Sequence, residues 1–170
     1  MSVTLQKKEL SVQATCGQIA DFLLNKQWKL ATAESCTGGL IAAACTELSG
    51  SSNWFERGFV TYSNEAKTEL LDVDAALISR QGAVSEAVVR AMAQGALQHS
   101  RAQVAVAVTG VAGPTGGSAE KPVGTVWFGW ATPQGTTSMV HRFAGDRAAV
   151  RAATVHQALA TLLDLLRAPA

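Results

Sequence analysis

Apolar positions along this chain change period several times, and each change marks an element. Over residues 10–26, Val12, Cys16, Ile19, Ala20 and Leu23 fall on one helical stripe. Trp28 to Ala33 is a short apolar run that predicts a buried strand. After Gly38 and Gly39 the helical period returns with Leu40, Ile41, Ala44, Cys45 and Leu48. Gly50-Ser51-Ser52-Asn53 predicts a turn, and Phe59 to Tyr62 a strand. Ser63 or Asn64 can cap a helix reaching about Leu71, with Glu65 in its first turn. Ser85 caps the next helix, whose buried face carries Val88, Met92 and Ala96.

Val104 to Val108 is apolar without alternation, the pattern of a parallel strand covered on both faces. It runs into TGVAGPTGGSAEKP, a long loop rich in glycine and proline. Val123 to Ala131 and Thr136 to Phe143 predict two strands joined at Pro133-Gln134-Gly135. Asp146 caps a last helix to Arg167, with Val155, Leu159, Leu162, Leu163 and Leu166 inward. Helices and strands thus mix throughout, with βα steps early and a hairpin late. The expected fold is α/β: one domain over residues 1–170, a three-layer α/β/α sandwich around a mixed, mainly parallel sheet. Sites in such sheets gather at the carboxyl ends of strands. Three polar or glycine-rich junctions fall there, at 34–39, 62–67 and 109–118.

Composition narrows the classes. At 170 residues the chain can bury roughly 70% of its unfolded surface without a metal or disulfide staple. Charged residues make up only 16%, against about 25% in ordinary domains, which favours a partly hidden surface and a homo-oligomer. A formal charge of +1, with no basic run longer than Lys7-Lys8, argues against nucleic acid or an anionic membrane as partner. Cys16, Cys36 and Cys45 form no CxxC pair, and no cleavable apolar segment opens the chain; the expected location is the cytoplasm. His99, His141 and His156 are scattered, so they are expected to pack or lie on the surface, with no metal site.

The first junction, AESCTGG, sets Ser35, Cys36 and Thr37 at a strand-to-helix turn, where N–H groups point outward. Gly38 and Gly39 would let a ligand approach closely. The turn is neither a P-loop nor a GxSxG elbow. Capping and packing compete with nucleophilic attack as the use of these hydroxyls. A serine nucleophile needs a base, and no histidine lies near a glycine-rich turn. Lys67, in VTYSNEAK, can serve if burial lowers its pKa toward neutrality. Tyr62 could relay a proton or position that lysine. The competing view keeps Lys67 solvated and Tyr62 as packing. Cys36 is the rival nucleophile, because a thiol at a helix start can become reactive. In the third junction, Thr109, Gly110, Gly113 and Gly117 could form an anion-binding nest or an ordinary connection. Arg147 sits in the first turn of the last helix, an adverse place for a cation, which suggests a ligand phosphate or a partner carboxylate.

AESCTGGL, GSSNWFERGFVTYSNEAK, GAVS, VTGVAGPTGGS and EKPVGTVW, in that order, resemble the CinA carboxyl-terminal domain family. The resemblance runs from about Ala31 to the last helix. It implies an α/β/α sandwich with no metal or cofactor, and hydrolysis of the carboxamide of nicotinamide mononucleotide to nicotinate mononucleotide and ammonia. The family's catalytic serine, tyrosine and lysine fall on Ser35, Tyr62 and Lys67. Longer members carry an extra amino-terminal domain, whose role does not transfer to this sequence. A different class also remains open, a non-catalytic module that senses pyridine nucleotides with the same glycines. An adaptor for DNA uptake is disfavoured by the near-neutral charge.

Overall fold

The structure, a computed structural model, describes residues 10–168. Helix α1 (Val12–Lys26) leads into strand β1 (Leu30–Glu34), then helix α2 (Leu40–Thr46). A single 3-10 turn at Ser51–Asn53 precedes β2 (Phe55–Val60). Three helices follow, α3 (Asn64–Leu71), α4 (Ala75–Gln81) and α5 (Glu86–Gln98). Strands β3 (Val104–Gly110), β4 (Thr125–Thr132) and β5 (Gly135–Arg142) then complete the sheet, and α6 (Arg147–Arg167) closes the chain.

The five strands lie in the order β2-β1-β3-β4-β5. β1 pairs in parallel with both β2 and β3, while β4 runs antiparallel to β3 and to β5. Four strands therefore share one direction and β4 alone opposes them, the mixed, mainly parallel sheet the sequence predicts. β1 and β3 are buried on both faces, but the faces differ in size. Val104, Val106 and Val108 join Leu30 against α1, α2 and α6. Ala31, Ala33, Ala105 and Ala107 face α3, α4 and α5. Large residues on one side and methyl groups on the other draw α5 close to the sheet.

Ser11, Ser63, Ser85 and Asp146 each accept a hydrogen bond from a first-turn N–H of the helix that follows. The sequence names the last three of these caps. It does not name α4, which is seven residues long with only Ile78 buried, too short for a period to emerge. β2 also begins earlier than predicted and stops before Tyr62. Its residues are half-exposed because it is an edge strand, so no apolar run marks its start.

Gly95 lies in the middle of α5, where α3 ends. A Cβ there would overlap the Leu71 carbonyl oxygen. Alanine would gain about 1 kcal/mol of helix propensity at that position but forces two backbones apart. Gly95→Ala is expected to lower unfolding stability by about 2–3 kcal/mol net, measured by urea denaturation. Unchanged stability would show that α3 and α5 pack less tightly than described.

Candidate active site

Ser35 follows directly on β1, and its N–H still donates to the Val108 carbonyl at 3.1 Å. Successive residues of an extended chain point to opposite faces. Glu34 turns toward α2, and Ser35 faces α3, where Lys67 stands one turn in. Lys67 Nζ lies 3.2 Å from Ser35 Oγ. It also donates to the Thr61 carbonyl at 2.7 Å and reaches the Ser63 carbonyl at 3.5 Å. The lysine is 1% exposed, and among the described residues it meets no carboxylate within 4.0 Å. Burial lowers its pKa from the ordinary lysine value; the nearby Cys36 opposes this weakly.

The sequence reading missed Glu34. It is 1% exposed and accepts from Thr37 Oγ1 at 2.6 Å, Ile41 N–H at 2.8 Å and Ala42 N–H at 2.9 Å. Gly39, the N-cap of α2, has no side chain to cap with, so the last residue of the preceding strand supplies the oxygens. Gly38 and Gly39 make this turn possible, with φ of 59° and 104°, a consecutive left-handed pair open only to glycine. Arg151 of α6 was also missed. Its Nε donates to the Cys36 carbonyl and its Nη2 to the Thr37 carbonyl, each at 3.1 Å.

Those bonds leave a remainder. Gly38 N–H donates to the Ser35 carbonyl and Leu40 N–H to that of Thr37. Among the described residues, the N–H groups of Cys36, Thr37 and Gly39 donate to no protein acceptor. The Cys36 thiol is 5% exposed, and burial pushes its pKa up to about 11, so it is a protonated packing group at neutral pH.

Among the described residues Tyr62 makes no hydrogen bond to Ser35 or Lys67. It is 60% exposed, and its hydroxyl accepts from Arg147 Nη2 at 3.0 Å. Arg147 Nη1 donates to the Gly113 carbonyl at 2.9 Å. The partners sought for this cation in a ligand or a second chain are thus, within the chain, two neutral oxygens. Thr109 is buried and its hydroxyl donates to the Ala83 carbonyl at 2.9 Å. Gly110 and Gly117 are bare for packing, since a Cβ would crowd Val126 and Val123 respectively. A cavity of about 640 Å³ adjoins the site, lined by Ala112, Pro114, Val123, Asp146, Arg147 and Arg151. A larger one of about 770 Å³, between α4, α5 and Trp127, is lined by none of the candidate catalytic or substrate-binding residues.

Among the described residues no group of three His, Cys, Asp or Glu side chains could hold a metal ion, and no helix is long and apolar enough to cross a membrane. His99 pairs with Asp72 at 2.7 Å, and His141 lies against the ring of Phe143.

Comparison with known proteins places this arrangement. A family model described as the CinA C-terminal domain matches residues 12–166. The chain belongs to that family. It is 57% identical over 144 residues to the nicotinamide-nucleotide amidohydrolase PncC of Enterobacter agglomerans, covering 84% of this chain and 85% of the relative. It is 52% identical over 147 residues to the protein of that name from Escherichia coli K12, covering 85% and 88%. The crystal structure of the competence/damage inducible protein CihA from Agrobacterium tumefaciens superposes with a TM-score of 0.88 at 46% identity, covering 91% of this chain and 94% of that one. This CinA domain therefore has the α/β architecture expected from its sequence.

The Glu34 cluster makes a stability prediction. Glu34→Ala strands the buried Ile41 N–H, the part-buried Ala42 N–H and the Thr37 hydroxyl, and should cost about 3 kcal/mol or more in chemical denaturation. A loss below about 1 kcal/mol would mean that the carboxyl group does not hold the turn.

Proposed function

We propose that this chain hydrolyses the carboxamide of nicotinamide mononucleotide, giving nicotinate mononucleotide and ammonia, with Ser35 as nucleophile and Lys67 as base. The observation that carries the reading is the buried amine 3.2 Å from the serine oxygen, without a carboxylate partner among the described residues. The relatives' names supply the substrate class.

A neutral lysine has two N–H bonds and one lone pair. The carbonyls of Thr61 and Ser63 accept the two N–H bonds, which leaves the lone pair for the Ser35 hydroxyl. An amide is a poor electrophile, so attack needs this activation together with a held oxyanion. Ser35 Oγ attacks the carboxamide carbon while its proton passes to Lys67 Nζ. The N–H groups of Cys36 and Thr37, which no oxygen of the described residues occupies, take the developing negative charge. Lys67 returns its proton to the leaving nitrogen, ammonia departs, and water attacks the acyl-enzyme with Lys67 again as base. The direct Ser35–Lys67 contact makes a relay through Tyr62 unnecessary.

Arg147 is the cation assigned to the substrate phosphate, with the loop from Thr109 through Gly110 and Gly113 to Gly117 as the far wall. Arg147 lines the 640 Å³ cavity, which lies within the range of small-ligand sites. Its guanidinium meets no carboxylate within 4.0 Å among the described residues. Tyr62, bonded to it, would then act through Arg147 on substrate binding.

Ammonia release from the mononucleotide is the assay. Ser35→Ala and Lys67→Met are each expected to lose at least 10³-fold in kcat, a general-base loss combined with loss of the nucleophile's activation. Cys36→Ala should keep activity within about threefold, as befits a protonated buried thiol. A dead Cys36→Ala beside an active Ser35→Ala would overturn the nucleophile. The pH dependence has a defined sign. The base must be unprotonated, so kcat/KM rises with pH through the Lys67 pKa and levels off above it. Because burial lowers that pKa, the midpoint of the rise lies below about 10.4, the value of a free lysine. A rate still rising tenfold per unit beyond that point would exclude Lys67 as the base.

A further inference from the structure

The nucleophile's loop is held from two sides. On one, Glu34 collects the N–H groups that open α2. On the other, Arg151 collects the carbonyls of Cys36 and Thr37. These carbonyls belong to the peptide units 36–37 and 37–38. In a planar trans peptide, C=O and N–H point in opposite directions. Drawing both oxygens toward α6 therefore turns the N–H groups of Thr37 and Gly38 away from α6. Gly38 N–H is consumed locally by the Ser35 carbonyl at 3.0 Å. Thr37 N–H is left without a protein acceptor among the described residues, one residue removed from a neighbour of the serine hydroxyl.

We propose that Arg151 is a positioning residue for the reaction: its guanidinium fixes and polarises the 36–37 and 37–38 peptides so that the Thr37 N–H is aimed as an oxyanion donor before substrate arrives. The proposal rests on the reading of Ser35 as nucleophile. Two features fit this role. The contact is bidentate, through Nε and Nη2, so the planar fork sets the orientation of two successive peptides as a lysine could not. A cation at the carbonyl end also strengthens the N–H at the other end as a donor. The effect comes from the loop and the guanidinium and needs nothing from the dipole of the seven-residue α2. Arg151 and Arg147 sit one turn apart on α6 and line the same cavity, yet their duties divide. Arg147 spends its bonds on Tyr62 and Gly113 at the rim, and Arg151 on the backbone beside the nucleophile.

The test is steady-state ammonia release by the full chain as wild type, Arg151→Lys, Arg151→Gln and Arg151→Ala, with thermal melts of each. The expected result is folded variants with kcat lower by about 10- to 100-fold, below the 10²–10³-fold of deleting an oxyanion donor outright. KM should stay within about twofold, Arg151→Lys should be impaired like the others, and added methylguanidine should restore part of the kcat of Arg151→Ala. Four outcomes overturn the proposal. A KM increase exceeding the fall in kcat would make Arg151 a substrate-phosphate ligand. Wild-type kinetics in Arg151→Gln would make the contact idle. A kcat loss that methylguanidine does not restore would place the cause outside the guanidinium. Failure of every variant to fold would make the contact purely structural. Ser35→Ala, run alongside, separates the two readings: if it keeps activity, the nucleophile is wrong whatever Arg151 does.

Discussion

The account depends on one unfavourable placement, an amine taken out of water and set beside a hydroxyl. A buried ammonium without a counter-charge is expensive, and the neutral form avoids that cost. Here the surroundings suit the neutral form. Two backbone carbonyls take N–H bonds, and the third neighbour is the Ser35 oxygen. The placement is itself a product of local structure. Ser63 starts α3 by accepting from Ala66 N–H, and Lys67 follows one turn later on the helix face that packs inward with Leu71. β1 delivers Ser35 to the same level because its strand ends where the parallel neighbours also end.

The sheet explains why three distant segments meet. Alanines on one face let α5 and α3 approach closely, which carries Lys67 in over the end of β1. Valines on the other face fit the thicker layer of α1, α2 and α6. That layer brings Arg147 and Arg151 up to the same edge, one turn apart on a 21-residue helix. The Ser35 hydroxyl and the Lys67 amine thus approach from one face, and the loop's anchor from the other. Stability and chemistry pull in different directions here. Glu34 and Arg151 satisfy backbone groups and hold the turn, whereas Lys67 is a buried polar group whose place the proposed chemistry would explain.

Much of this was legible in the chain. Serine and aspartate caps at 63, 85 and 146 marked helix starts, because capping is a local contact between residues three apart. The unalternating run at 104–108 declared a strand covered on both faces. Local patterns also put Ser35 and Lys67 at the ends of elements and allowed the lysine as a base for the serine, and the resemblance to a family favoured that pairing over plain packing. What stayed hidden was long-range or sterically local. Arg151 meets carbonyls 114 and 115 residues earlier in the chain, and no periodicity encodes such a contact. Tyr62 meets Arg147 85 residues away, a partner that the compact VTYSNEAK does not reveal. Glu34 was overlooked for another reason. A carboxyl group ending a buried strand looks like a catalytic or solvent-facing group until the uncapped Gly39 shows what it replaces.

The most direct measurement is the titration of the Lys67 side chain itself, followed by NMR of lysine labelled at Cε and Nζ, with Lys67→Met to assign the signal. The account predicts a midpoint below the ordinary lysine value of about 10.4, with the signal perturbed by Ser35→Ala. A midpoint at or above that value, unmoved by Ser35→Ala, would mean that the amine is charged and independent of the serine, and would contradict the proposed chemistry.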